Sequence, residues 1–106
     1  MKRYEIRLAS LDPTQSGQTA KTRPVVIVSL DTLNERLETI TICPIVAEPH
    51  PAWRSRLTVR VGRRDTEIAV DQIRTIGKAR LGRKVGVLAD KDAGALRRLI
   101  TEMYGE

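Results

Sequence analysis

Apolar and polar positions along the chain predict several short strands and one closing helix. Over Tyr4–Ala9, Tyr4, Ile6 and Leu8 alternate with Glu5, Arg7 and Ala9, the period of two expected for a half-buried strand. Over Pro24–Ser29 the pattern changes. Val25, Val26, Ile27 and Val28 are continuously apolar and β-branched, which predicts a central strand buried on both faces. Pro24 belongs at its start, because it has no N–H to give to a ladder. Asp31–Arg36 predicts a helical turn, and Thr39–Val46 a strand with a break or an edge at Pro44. Arg56–Val61 alternates again, with Leu57, Val59 and Val61 inward. Glu67–Ile76 reads as a strand through Ile68 and Val70 that continues through Ile73 to Ile76, and Lys84–Leu88 reads as another short strand.

The period then shifts. Ala93, Leu96, Leu99, Ile100, Met103 and Tyr104 recur at helical spacing, with Arg97 and Arg98 on the other face. Asp90 is the expected N-cap, and Asp92 suits the positive end of the helix dipole. Gly94 costs this helix about 1 kcal/mol relative to alanine, so the helix needs tertiary docking. Five to seven short strands with few parallel crossovers, then one helix, predict a mainly β fold: a small, strongly bent sheet or barrel closed by a C-terminal α-helix. The 106 residues are one domain's worth and enough for one real core.

One connection breaks the rhythm. Ser10–Thr22 reads SLDPTQSGQTAKT, about thirteen residues of turn and polar types between two strands, where most connections run to about 4–6. It ends at Lys21-Thr22-Arg23-Pro24 and feeds the most buried strand. Arg23 is therefore held at the mouth of a rigid element, a good place for a working side chain.

Charge sharpens the picture. Nineteen Lys and Arg against thirteen Asp and Glu give +6, and fourteen of the nineteen cations are arginine. Residues 54–84 hold ten basic side chains against three acidic ones. Such a basic segment is the electrostatic footprint of a nucleic-acid ligand, and the planar guanidinium suits phosphate better than an ammonium does. The plain alternative is a well-solvated surface. The longest apolar run, Val25–Val28, is far short of the roughly 20 residues of a membrane span, and no apolar signal region follows the N-terminus, so the expected location is the cytoplasm. The single cysteine, Cys43, has neither a disulfide partner nor zinc-ligand companions and is expected to pack in the core.

The segments LDPT (residues 11–14), KTRPVVIVS (21–29), CPIV (43–46), DQIRTI (71–76) and ARLGRKVGVL (79–88) resemble the MazF/PemK (Kid) toxins in order and spacing. These are small ribonucleases of type II toxin–antitoxin systems, also called mRNA interferases. The resemblance spans essentially the whole chain, 1–106 as a single domain. TRPV after a polar loop and DQIRT before an RLG segment are specific together and weak apart. The resemblance implies an SH3-like barrel with a C-terminal helix (the fold of plasmid-maintenance toxins), a homodimer, and a groove for single-stranded RNA. It also implies a cognate antitoxin whose acidic tail fills that groove, with operator DNA reached only through the antitoxin, and no membrane partner. The implied chemistry uses no cofactor and no metal: a ribose 2′-OH attacks the adjacent phosphorus and leaves a 2′,3′-cyclic phosphate and a 5′-OH.

The same resemblance assigns roles. Arg23 matches the arginine that stabilises the phosphorane and is a candidate proton donor; the structural alternative is a carboxylate pair that closes the loop. Asp71 matches an aspartate that some members use in catalysis; it could equally hold Arg74 or a turn in place. Gln15, Ser16, Gln18, Thr19 and Lys21 lie on the loop where members touch RNA. Gln72, Arg74 and Thr75 are expected to shape the groove wall, and Arg54 and Arg56 to contact backbone phosphates. The chain also departs from the family. Gly17 and Gln18 stand where many members carry His or Ser and then Glu, Val46 where many carry Thr or Ser, Ala69 where some carry arginine, and Arg7 where Trp is common. These changes keep open a member that binds RNA or antitoxin without cutting. A poison of DNA gyrase like the CcdB toxins, which look similar in fold, is a third reading on architecture alone.

Two residues stay outside this scheme. His50, in EPHPAW, is the only histidine and the compositional candidate for acid–base work, but reads as a solvated loop residue. Trp53 could stack on a splayed base or cover the core or a dimer edge. Only three aromatic side chains are present, which makes a stacking-platform RNA module improbable.

Overall fold

The computed structural model describes residues 1–11, 22–48, 50 and 52–105. Seven strands follow in chain order: β1 (Glu5–Ser10), β2 (Thr22–Ile27), β3 (Thr39–Val46), β4 (Arg56–Val61), β5 (Arg64–Ala69), β6 (Arg74–Gly77) and β7 (Leu81–Val87). The helices are α1 (Asp31–Arg36), between β2 and β3, and α2 (Asp90–Tyr104) at the end. The strands pair antiparallel in the order β4-β5-β3-β2-β1-β7, with β6 also on β3. The result is a curled half-barrel with α2 packed on it, the mainly β fold with one closing helix that the pattern predicts.

The two-sided burial of β2 holds. Val26 and Val28 join the core shared with α2, while Val25 and Ile27 join a second cluster on the opposite face. β3 divides its side chains the same way, with Cys43 and Ile45 on the first side and Ile40 and Ile42 on the second. Cys43 is fully buried, and burial raises its thiol to about 12, so it packs as an inert apolar residue. Both prolines sit where a ladder has a gap. Pro24 faces Leu8 of β1, and pairing with β3 begins only at Val25. Pro44 marks the point where one edge of β3 passes from β6, paired through Ile42, to β5, paired from Ile45.

Four expectations need correction. Glu67–Ile76 is not one strand: β5 ends at Ala69, a 3₁₀ turn spans Val70–Gln72, and β6 starts at Arg74. The buried apolar run Ile68–Val70 continues into the turn, so composition alone hides the break. Lys84–Leu88 is only the second half of a strand that begins at Leu81. Asp90 is the first residue of α2 rather than its cap, because Ala89 holds the cap position without a side-chain hydrogen bond. In β1, Ala9 is as buried as Ile6, each in a different cluster, because the pairing with β7 shifts register on both sides of Arg7.

Local chemistry fixes the corners. Gly62 turns the β4–β5 hairpin at φ +64°, a region costly for any side chain. Asn34 of α1 is buried; its amide donates to the Ser29 carbonyl at 2.9 Å, and its carbonyl oxygen accepts from the Ser29 hydroxyl. Among the described residues, Tyr4 is the non-glycine residue with positive φ, at 69°. Two backbone bonds hold it there, its N–H to the Ile27 carbonyl at 2.6 Å and its carbonyl accepting from Leu88 at 2.9 Å. Leu96 is fully buried, and Leu99, Ile100 and Met103 pack around the same core, so α2 supplies the docking that Gly94 requires. Among the described residues no helix is long and apolar enough to cross a membrane.

Truncating Leu96 removes the anchor of α2. Leu96→Ala is expected to lower unfolding free energy by about 2–5 kcal/mol, read from urea denaturation followed by circular dichroism.

Candidate functional site

The site is built on the 3₁₀ turn Val70–Gln72 and on the start of β2. Arg23, near the start of β2, is exposed and lies opposite Ala9. Two hollows meet at it. A groove of about 800 Å3 is lined by Arg23, Val46, His50, Arg56, Arg64 and Gln72, among others. A smaller one of about 290 Å3 is lined by Leu11, Arg23, Pro44, Gln72 and Arg74. Arg23 and Gln72 belong to both, so the hollows form one continuous surface. The larger is within the size range of ligand sites.

Beneath the groove lies a buried charge network. Arg56 of β4 has a side chain only 5% exposed. Its Nε donates to Asp71 Oδ1 at 2.8 Å, and Nη1 lies 3.8 Å from Glu67 Oε1. Its guanidinium also lies over the Trp53 ring, 4.8 Å from the centroid. Glu67 of β5 is 2% exposed and accepts the His50 backbone N–H at 2.8 Å. The His50 ring stacks on Trp53, with centroids 3.9 Å apart and planes 10° from parallel. One arginine thus ties two strands, the 3₁₀ turn and the segment around His50 into a single block. The turn has two further ties: Val70 donates its N–H to the Ser55 carbonyl at 3.0 Å, and the Tyr104 hydroxyl donates to the Val70 carbonyl at 2.9 Å.

Partial burial pushes the Asp71 carboxyl up, but hydrogen bonds from Arg56 and Ser55 outweigh it and hold the group below its ordinary value of 3.8. Asp71 is therefore a fixed anion committed to Arg56, not to Arg74. Arg74 and Gln72 line the smaller hollow, whereas Thr75 meets Thr41 across β6 and β3, hydroxyl to hydroxyl at 3.0 Å. Arg54 is highly exposed and pairs with Glu102 of α2. Arg7, in the place of the common Trp, holds Glu5 at 3.0 Å and the Gly82 carbonyl at 2.9 Å. Gln15, Ser16, Gln18, Thr19 and Lys21 lie outside the described residues, as does Gly17.

Sequence reasoning misses Glu67 and the attachment of His50 to it. The available signal for Glu67 is a lone carboxylate at the edge of the apolar run Ile68–Val70, on the strand that the Gly62 turn folds back beside Arg56. For His50 no local signal exists, since its place in the groove wall comes from the tertiary tie to Glu67. The segment 54–84 is not uniformly free charge either: among the described residues, Arg54, Arg56, Arg60 and Lys84 have carboxylate partners. Arg23, Arg64 and Arg74 line the hollows and form no ion pair within the described part of the chain.

With this geometry in place, comparison with known proteins is decisive for ancestry. A family model described as the PemK-like, MazF-like toxin of type II toxin–antitoxin system matches residues 2–104. The chain belongs to the PemK/MazF toxin family. The Endoribonuclease MazF of Staphylococcus saprophyticus is 33% identical to it, over 86% of this chain and 80% of that protein. Among solved structures, it is similar to a chain of the MazE–MazF crystal structure from Deinococcus radiodurans (TM-score 0.83, 14% identity, 99% of this chain and 96% of that one). It is also similar to an endoribonuclease in complex with its cognate antitoxin from a mycobacterial species (TM-score 0.81, 15% identity, 99% and 95%). At such identities these two structures speak for the PemK/MazF fold, which bears out the barrel expectation.

The network of this PemK/MazF-family member has a pH signature. Because the folded-state value of Asp71 is depressed, its stabilisation is complete above the unfolded value of 3.8 and is lost as pH falls through the lower folded value. Asp71→Asn is expected to lower stability at neutral pH and to flatten its decline below about pH 4, as measured by denaturant midpoints across the acid range.

Proposed function

We propose that the protein is a toxin endoribonuclease that cleaves single-stranded RNA, mRNA above all, by metal-independent attack of a ribose 2′-OH, and that a cognate antitoxin neutralises it. The observation that carries this reading is Arg23, exposed at the strand mouth where both hollows meet, with Gln72 and Arg74 beside it. The relative named an endoribonuclease and the neighbours solved with antitoxins support it. As in the family it resembles, it works as a homodimer.

The roles follow from chemistry. In-line attack places extra negative charge on the non-bridging oxygens of a crowded phosphorane. Arg23 meets that charge with a guanidinium that grips two oxygens at once and is never deprotonated. Arg74 and Arg64 draw the flanking phosphates along the groove, and Gln72 offers both donor and acceptor to a base or a ribose. Asp71 acts through Arg56 as a positioning residue: it keeps the guanidinium in place and with it the wall that carries His50 and Trp53. Among the described residues no three His, Cys, Asp or Glu side chains gather as metal ligands.

The test is cleavage of a long single-stranded RNA by antitoxin-free protein in EDTA, with the ends mapped. Site-specific cuts bearing a 2′,3′-cyclic phosphate and a 5′-OH are expected. Arg23→Ala should lose at least about 10²-fold in rate while its melting temperature stays unchanged. Folded protein that binds RNA and leaves it intact would make this a binding member of the family. RNA binding should weaken with salt by a slope of about −0.7 in log K per phosphate neutralised; a flat salt response would reduce the basic side chains to solvated surface.

A further inference from the structure

The reaction just described needs a base for the 2′-OH proton, and the expected sources are missing or committed. The Arg23 guanidinium is always protonated and has no acceptor. Positions 17 and 18 carry Gly and Gln, and Val46 in the groove wall has no hydroxyl. Asp71 is bound to Arg56 at 2.8 Å. One imidazole, that of His50, lines the same hollow as Arg23.

We infer that His50 is the general base of this ribonuclease: held in the groove wall by Glu67 and Trp53, its neutral ring takes the 2′-OH proton, a role the MazF/PemK resemblance does not place at this position. The inference rests on the ribonuclease reading above. Its physical ground is placement. The His50 N–H is fixed on a carboxylate that is 2% exposed, and its ring lies flat on Trp53 at 3.9 Å. A side chain clamped at its backbone and stacked on its face loses little freedom on reaching a substrate. Imidazole is also the side chain whose ordinary titration falls between about pH 5 and 8, where a base can both accept a proton and release it.

The groups that face His50 come from every wall. Trp53 stacks on its ring, Glu67 of β5 accepts its backbone N–H, and Arg56 of β4 pairs with Glu67 and lies over Trp53. Arg23 of β2, Glu48 beyond β3, and Arg64 with Thr66 of β5 complete the lining.

The step balances as follows. As the 2′-oxygen bonds to phosphorus, its proton moves to the free ring nitrogen of His50. The P–O5′ bond then breaks with its electron pair on O5′, which takes a proton from water. The hydroxide so formed is neutralised by the imidazolium, and the ring returns to its starting state. Arg23 holds the phosphorane oxygens throughout and transfers no proton.

Single-turnover cleavage at saturating RNA, followed from about pH 5 to 9, tests this. For the wild type the rate should rise with pH through the histidine range and level off. His50→Gln should lose about 10²-fold or more and lose that rise, with melting temperature and RNA affinity kept. Arg23→Ala should lose rate but keep the rise. In His50→Ala, added imidazole should restore part of the lost rate. A His50→Gln protein with the wild-type rate and profile, or one whose only defect is weaker RNA binding, overturns the inference while the ribonuclease reading stands. A wild type that does not cut at any pH overturns both.

Discussion

A guanidinium buried to 5% exposure must be answered by charge, and the answer given to Arg56 organises this molecule. Removing an arginine from water costs several kcal/mol, which only close anions and good hydrogen bonds offset. Two carboxylates supply them from different directions, Asp71 from the 3₁₀ turn and Glu67 from β5. The Trp53 ring covers the cation from a third side. None of the three could move far without leaving Arg56 uncompensated. The segment between β3 and β4, which carries His50 and would otherwise be a plain surface connection, is thereby attached to the core.

Burial on both faces of the central strands supports this arrangement. β2 and β3 send alternate side chains into two clusters, so the strands that present Arg23 and Val46 are packed from both sides. β3 also has a double edge: β6 pairs with one part of it and β5 with the next, with Pro44 between. This shared edge brings Arg74, on β6, and Arg56, beside β5, to neighbouring parts of one surface.

Legibility in the sequence followed the range of the interaction. The Val25–Val28 run, the alternation of Arg56–Val61 and the helical spacing from Ala93 to Tyr104 are local patterns, and each reads correctly. The placement of Arg23 at the start of a buried strand is equally local, set by a polar stretch that runs into β-branched residues. The turn at Val70–Gln72 was not, because apolar residues continue through it and only tertiary bonds from Ser55 and Tyr104 bend the chain there. Glu67 and His50 were harder still. Glu67 is tied to Arg56 and His50, eleven and seventeen residues away, and His50 gains its tie to the core only through Glu67, a distance no spacing rule reaches. The basic segment reads as one patch in sequence, but folding divides it into arginines that hold the structure and arginines that face the groove.

The strand order carries a consequence for synthesis. β1 pairs with β7, so residues near the start of the chain wait for partners at Leu81–Val87. The groove needs Arg23 from one end and Arg74 from the other. A nascent chain therefore holds no complete groove until Arg74 has been made, and no β1–β7 pairing until Leu81–Val87 follow. Such non-local pairing slows folding, because loop closure precedes the contacts that reward it. The two ends of the chain must therefore meet before the surface that holds Arg23 and Arg74 is fixed in place.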